Sequence, residues 1–165
     1  MAQEAIRAFK RSLPAIAANP RDVSTRSDAL YGAWLAGTCL GAVGMSLHHK
    51  LCHVLGGTFD LPHAETHTVV LPHAIAYNTP AEPAVMRIIA DLFGAADAST
   101  ALFDFIGRLG AKQSLRGLGM PEAGIEKAAL LAVENPYWNP RNLEHQPILE
   151  LIRRAWAGEA PKPTV

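Results

Sequence analysis

Hydrophobic positions recur with the 3.6-residue period of an α-helix along nearly the whole chain, and no segment shows the strict alternation of a half-buried strand. Residues 2–13, for example, place Ile6, Phe9 and Leu13 on one face and basic residues on the opposite face. This pattern predicts an all-α protein, a multi-helix bundle of roughly seven to nine helices.

Capping and breaking residues predict where the helices begin and end. A long helix is predicted from 27–28 (Ser-Asp) toward Leu55, with the glycine pair 56–57 as its left-handed stop. Pro62 suits the first turn of the next helix, where its missing N–H does no harm, and Pro72 is predicted to kink or end that helix. Further helices are predicted at 86–93, 98–109, 121–133 and 146–157.

The length and composition of the chain predict one domain. With 165 residues, of which 49% are hydrophobic and 18% charged, the chain can bury a sizeable core. Because no repeat or linker divides the sequence, residues 1–157 are predicted to form a single all-helical domain. A frayed tail is predicted over residues 158–165.

Charge and cysteine content argue against several kinds of partner. Fifteen basic and fifteen acidic residues cancel without forming a basic stripe, which argues against nucleic acid and anionic membrane. Cys39 and Cys52 are too few for a disulfide framework, so a reducing compartment fits best. The N-terminus lacks the apolar core of a secretory signal, and no apolar run reaches the roughly 18–20 residues of a membrane span. We therefore expect a cytoplasmic protein.

Histidines are concentrated in one short window. Two pairs are spaced four apart, His49 with His53 and His63 with His67, and this spacing brings both side chains to one face of a helix. A single helical histidine is usually a hydrogen-bonded core residue, but several packed imidazoles without a function would be hard to satisfy. Six of the seven histidines lie in this window: His48, His49, His53, His63, His67 and His73.

Three kinds of site fit the residues of this window. Imidazoles together with a carboxylate, from Asp60 or Glu65, could bind a divalent metal. A histidine could transfer a proton to a carbonyl or enolate oxygen. Protonated imidazoles beside the helix start near Pro62 could hold a carboxylate. The spacing does not choose among the three.

A longer pattern in the same window is more specific. His49 and His53 stand in a His-x-x-x-His motif, and His63 follows ten residues later in a Pro-His pair. This pattern resembles the signature of the iron-containing alcohol dehydrogenase superfamily. Three further segments are similar to the maleylacetate reductase family within it: 65–78, 26–37 and 139–141. The resemblance covers essentially the whole chain.

The resemblance implies a fold and a partner domain. Members of the superfamily have an N-terminal α/β dinucleotide-binding domain and an all-helical C-terminal domain of the dehydroquinate-synthase-like kind. This chain resembles the second domain, and no glycine-rich turn following a strand is recognisable in it. We therefore expect that the dinucleotide-binding domain is missing or separate, and that this chain alone does not bind NAD(P)H.

The resemblance also implies an activity, the NAD(P)H-dependent reduction of maleylacetate to 3-oxoadipate in the degradation of aromatic compounds. We expect a small dicarboxylate-like substrate and no reductase activity without the cofactor domain. His53 would act as proton donor or electrostatic partner. His49 and His63 match metal ligands, for iron or zinc, and would polarise the substrate oxygen directly or through that metal. His67 and His73 would contact the substrate carboxylates or support the site.

His49 and His63 are only two of the four ligands in metal-dependent relatives. The other two, an aspartate and a histidine, come from sequence upstream of the region matched here, so a tight metal site would need His53 or His67 to be recruited. His48 lies one residue off the shared face and is predicted to be structural.

Two other functions remain open. The chain could be a stand-alone helical protein that uses the histidine pocket for cofactor-free acid–base chemistry or for binding a small dicarboxylate. It could also be a structural or dimerising remnant. In each case a missing domain should leave an apolar patch exposed, and such patches usually find a neighbour, so we expect a homo-oligomer.

Overall fold

The computed structural model describes residues 1–162, which form helices and connecting loops without a strand. This confirms the all-α prediction. The helices are α1 Ala2–Ala18, α2 Val23–Ala42, α3 Leu47–Phe59, α4 His63–Asn78, α5 Pro83–Phe93, α6 Ala98–Arg108, a 3-10 turn Arg116–Leu118, α7 Gly124–Val133 and α8 His145–Ala157.

The hydrophobic core lies where α3, α4, α7 and α8 meet. Leu51 and Leu55 of α3, Val70 of α4, and Ile148 and Ile152 of α8 are fully or almost fully buried in one cluster. Burying a side chain of this size contributes about 1.5–3 kcal/mol. The core therefore holds α3 and α4, the two helices of the histidine window, against the rest of the protein.

The prediction of one long helix running toward Leu55 is wrong, because this part of the chain forms two helices, α2 and α3. The first begins earlier than predicted, at Val23, where the carboxylate of Asp22 caps the backbone N–H of Ser24 at 2.9 Å. It ends at Ala42, and the chain bends by 98° between α2 and α3. Within residues 1–162 no single helix is long and apolar enough to cross a membrane; α2 and α3 pass that test only as a bent pair.

The glycine pair 56–57 and Pro72 do not end their helices. Both glycines lie inside α3, which ends at Asp60 in the left-handed conformation, with the N–H of Asp60 bonded to the Gly56 carbonyl at 3.0 Å. Helix α4 continues through Pro72 to Asn78. The ring of Pro72 is fully buried, and this burial offsets the backbone hydrogen bond that proline removes.

Helices α1 and α2 pack as a hairpin. A side chain at Gly32 would place its Cβ 3.1 Å from the Ala8 Cβ, so the close approach of the two helices needs a glycine there. Arg11 pairs with Asp28 through two hydrogen bonds of 2.8 and 2.6 Å. The opposite face of α2 is open: Leu30 is 70% exposed and Trp34 is 64% exposed.

The segment after α8 folds back toward the helix, and the frayed tail predicted over residues 158–165 stays a prediction. Gly158 ends the helix at a φ of 76°, and Glu159 forms an ion pair of 2.7 Å with Arg154. Pro161 is buried. Residues 158–162 are therefore tied to the domain, and the remainder of the predicted tail, 163–165, lies outside the described residues.

Candidate functional site

Five of the six histidines in the window come together around His67. The ring of His67 on α4 lies 4.3 Å from the ring of His63, 4.9 Å from that of His48 and 5.1 Å from that of His49, measured between centroids. His53 lies one turn further along α3, 6.1 Å from His49. The bend between α3 and α4 therefore produces a wall of imidazoles, as the four-residue spacing predicted. We call it the histidine wall: His48, His49, His53, His63 and His67.

His53 stands at the exposed end of this wall and has a partner that the sequence did not reveal. Its Nδ1 lies 3.0 Å from the hydroxyl of Tyr137. The Tyr137 ring in turn lies under the ammonium of Lys50, 5.8 Å from its centroid. Because Tyr137 engages Nδ1, Nε2 is the remaining ring nitrogen of this exposed side chain.

The connector between α7 and α8, residues 134–144, is held in place by Asn139. The side-chain amides of Asn139 and Asn78 exchange two hydrogen bonds of 2.7 and 3.0 Å. Ser46, at the start of α3, donates a third bond of 2.7 Å to the Asn139 Oδ1. Asn139 therefore joins the connector to the end of α4 and the start of α3, and this fixes Tyr137 beside His53.

Three imidazoles of the histidine wall, His48, His49 and His67, have lowered pKa values. Burial, and then the neighbouring imidazoles, lower the pKa of His67 to about 4. Burial also lowers the pKa of His48, and burial followed by the imidazoles of His53 and His63 lowers that of His49. Being neutral at pH 7, these three side chains offer lone pairs and N–H donors rather than fixed positive charge.

His73 is not brought to the wall. It is 2% exposed, lies beside Tyr77 and Arg154 in the interior, and packs edge-on against Phe103 at 6.4 Å between centroids. Burial and then Arg154 lower its pKa to about 4. A substrate contact by His73 stays a prediction, and its position favours a role in the core.

The residues present do not complete an iron or zinc site at His49 and His63. Both rings contact His67. Within residues 1–162, however, no set of three histidine, cysteine or carboxylate ligand atoms within 4.8 Å of one another includes either of them. Asp60 and Glu65 are exposed and belong to no such set. Likewise, the described residues contain no strand, so they do not form the strand–turn–helix cradle that holds a dinucleotide.

The sequence and the helical fold match a known family of domains. Residues 1–156 match the family described as "Fe-containing alcohol dehydrogenase family, C-terminal", and the chain belongs to that family. Its similarity within the family is to maleylacetate reductases.

The maleylacetate reductase of Sphingobium indicum is 56% identical over 161 residues, which are 98% of this chain and 46% of that protein. The crystal structure of the maleylacetate reductase of Agrobacterium tumefaciens is 52% identical, with a TM-score of 0.93 over 96% of this chain and 45% of that one. An iron-containing alcohol dehydrogenase of Corynebacterium glutamicum is 38% identical, with a TM-score of 0.88 over 98% and 45%. The chain thus spans about half the length of the relatives it matches.

Proposed function

We propose that this chain forms the proton-donating and substrate-binding half of a maleylacetate reductase. The overall reaction is the NAD(P)H-dependent reduction of the carbon–carbon double bond of maleylacetate, which gives 3-oxoadipate. The observation that carries the proposal is the pair formed by His53 and Tyr137 at the open end of the histidine wall. The name of the relatives that are more than 50% identical supports the choice of substrate.

The reduction places negative charge on the oxygen of the conjugated ketone and requires one proton. A nicotinamide bound by a dinucleotide-binding domain would supply the hydride. His53 lies at the exposed edge of the wall, with Nδ1 held by Tyr137 and Nε2 free to donate. A positioned histidine that donates a proton typically accelerates such a step by about 10²–10⁴. His49 and His63 would add N–H donors toward the developing charge.

The open face of α2 is the proposed contact for the dinucleotide-binding half. Leu30, Trp34, Leu40, Val43 and Met45 are large apolar side chains that are exposed on or just after this helix. An apolar surface of this kind usually marks an interface. The chain runs from α2 into α3, which carries three histidines of the histidine wall. A domain docked on α2 would therefore cover the wall. When no such domain is docked, the same face would serve the self-association expected from the sequence.

The proposal is tested by joining residues 1–165 to the dinucleotide-binding half of the Sphingobium indicum relative. Maleylacetate-dependent oxidation of NADH by the joined protein is the readout, and residues 1–165 expressed alone are the control. We expect turnover by the joined protein and none by the control. His53→Ala in the joined protein should lower kcat by about 10²–10⁴ while the helical signal in circular dichroism stays the same.

Two outcomes would reject this function. One is a joined protein that binds NADH but does not consume it with maleylacetate. The other is an undiminished rate in the His53→Ala variant. Tight binding of a dicarboxylate by the chain alone, without any turnover when joined, would favour the stand-alone binding protein instead.

A further inference from the structure

Behind the histidine wall, two side chains of α3 and one of α4 converge on a single point. His48 and Cys52 are four residues apart on α3, and His67 faces them from α4. One ring nitrogen of each histidine and the sulfur of Cys52 all lie within 4.8 Å of one another. Among residues 1–162, this is the only group of three potential metal ligands whose ligand atoms all lie within 4.8 Å of one another.

The hydrogen bonding of His48 prepares it for this role. Its Nε2 lies 2.9 Å from the backbone oxygen of His67. A carbonyl oxygen can only accept, so Nε2 carries the proton and Nδ1 carries the lone pair. Histidines that bind metals commonly donate their second N–H to a backbone carbonyl in this way, which fixes the ring and its tautomer.

His67 has a ring nitrogen without a partner. Its Nε2 is buried and has no hydrogen-bond partner among the described residues. A buried polar atom without a partner costs about 1–3 kcal/mol, and most such atoms in proteins are satisfied. A metal ion at the convergence point would satisfy it. Cys52, which is only 2% exposed, would present its sulfur from the core side.

We propose that His48, Cys52 and His67 form a binding site for a divalent cation of zinc-like softness, with two nitrogens, one sulfur and an open fourth position. Thiolate with imidazole is a donor set that favours Zn²⁺, which is usually held tetrahedrally by four ligands. On binding, the Cys52 thiol releases its proton to solvent and the sulfur bonds to the ion. The site differs from the His49 and His63 pair of the family signature, and it does not depend on the proposed reductase activity.

Cobalt titration of the untagged full chain under anaerobic, reducing conditions tests the site. Co²⁺ replaces Zn²⁺ readily, and a thiolate ligand gives it a sulfur-to-metal absorption band in the near ultraviolet. We expect this band to saturate at one equivalent and to disappear when Zn²⁺ is added. Cys52→Ser should abolish the band, and His48→Gln should weaken binding at least tenfold. His48 is only partly buried, so its variant tests the site even if the change at Cys52 prevents folding.

Two controls separate this site from other metal binding. Cys39→Ser changes the other cysteine of the chain and should leave the band unchanged. The double variant His49→Gln with His63→Gln should also retain it. A wild-type protein without a thiolate band would overturn the proposal, as would a band that persists in Cys52→Ser. Loss of the band in the His49 and His63 variant would also overturn it, because the three proposed ligands would then not be sufficient to hold the metal.

Discussion

Tyr137→Phe is the most informative single change, because it removes one hydroxyl and leaves the ring. That hydroxyl lies 3.0 Å from the Nδ1 of His53. If the contact orients His53 as a proton donor, its loss should lower kcat in the joined protein and leave KM nearly unchanged, since Tyr137 holds the catalytic ring rather than the substrate. The fold should be little affected, because His53 is exposed and the ring of Tyr137 stays in place.

The size of the effect follows from a single hydrogen bond. A neutral hydrogen bond is worth about 0.5–1.5 kcal/mol net, and each 1.36 kcal/mol is tenfold in rate. Tyr137→Phe should therefore lower kcat by roughly 2- to 13-fold. The assay is steady-state oxidation of NADH with maleylacetate, on the single variants His53→Gln and Tyr137→Phe and on the double variant.

The double variant decides whether the two residues act together. If Tyr137 works through His53, then Tyr137→Phe should have no further effect once His53 is changed. Trp138→Phe is the matched control, since Trp138 is the exposed neighbour in the same connector and should leave kcat unchanged. Independent, multiplicative effects of the His53 and Tyr137 changes would refute the assigned positioning role.

Four further predictions concern stability, dynamics and association. Burial lowers the pKa of His73 to about 4 from 6.5, so the unfolded chain binds this proton more tightly and stability is lost as pH falls from about 6.5 to about 4. In urea unfolding over this pH range, His73→Leu should lose less stability than the wild type, by up to about 3 kcal/mol, while His48, His49 and His67 contribute equally to both proteins. Asn139→Ala should speed amide hydrogen exchange in 134–144, whereas Asn142→Ala, whose backbone oxygen rather than side chain bonds Tyr77, should not. Trp34→Glu should weaken self-association by about 2 kcal/mol, roughly thirtyfold, in sedimentation velocity. Calorimetry of residues 1–165 alone should give a Kd for NADH weaker than about 10 μM.

Helical periodicity predicted the class of fold, because each helix buries one apolar face. It did not predict the break between α2 and α3. Residues 43–46 do contain a glycine, Gly44, and Ser46 is the N-cap of α3, but no proline interrupts the chain and small and apolar residues continue on both sides, so these weak signals were outweighed by the helical pattern. Ser46 is bonded to Asn139, which is 93 residues away, and such a tertiary contact is invisible to a local pattern.

The same limit applies to the site. The spacing of His49 with His53 and of His63 with His67 predicted two imidazole faces, and the short loop between the helices brought them together. His73 is six residues after His67, which is about 240° around the helix, so it points into the core instead. Tyr137 is 84 residues from His53 and carries no motif, and only the folded connector shows that they meet.

A crystal structure of the joined protein with NAD⁺ and 3-oxoadipate would test most directly whether the histidine wall faces the substrate. The account predicts a ligand oxygen within about 3.2 Å of the His53 Nε2, with the Tyr137 contact to Nδ1 retained. A ligand bound elsewhere, with no oxygen within hydrogen-bonding distance of His53, His49 or His63, would contradict it.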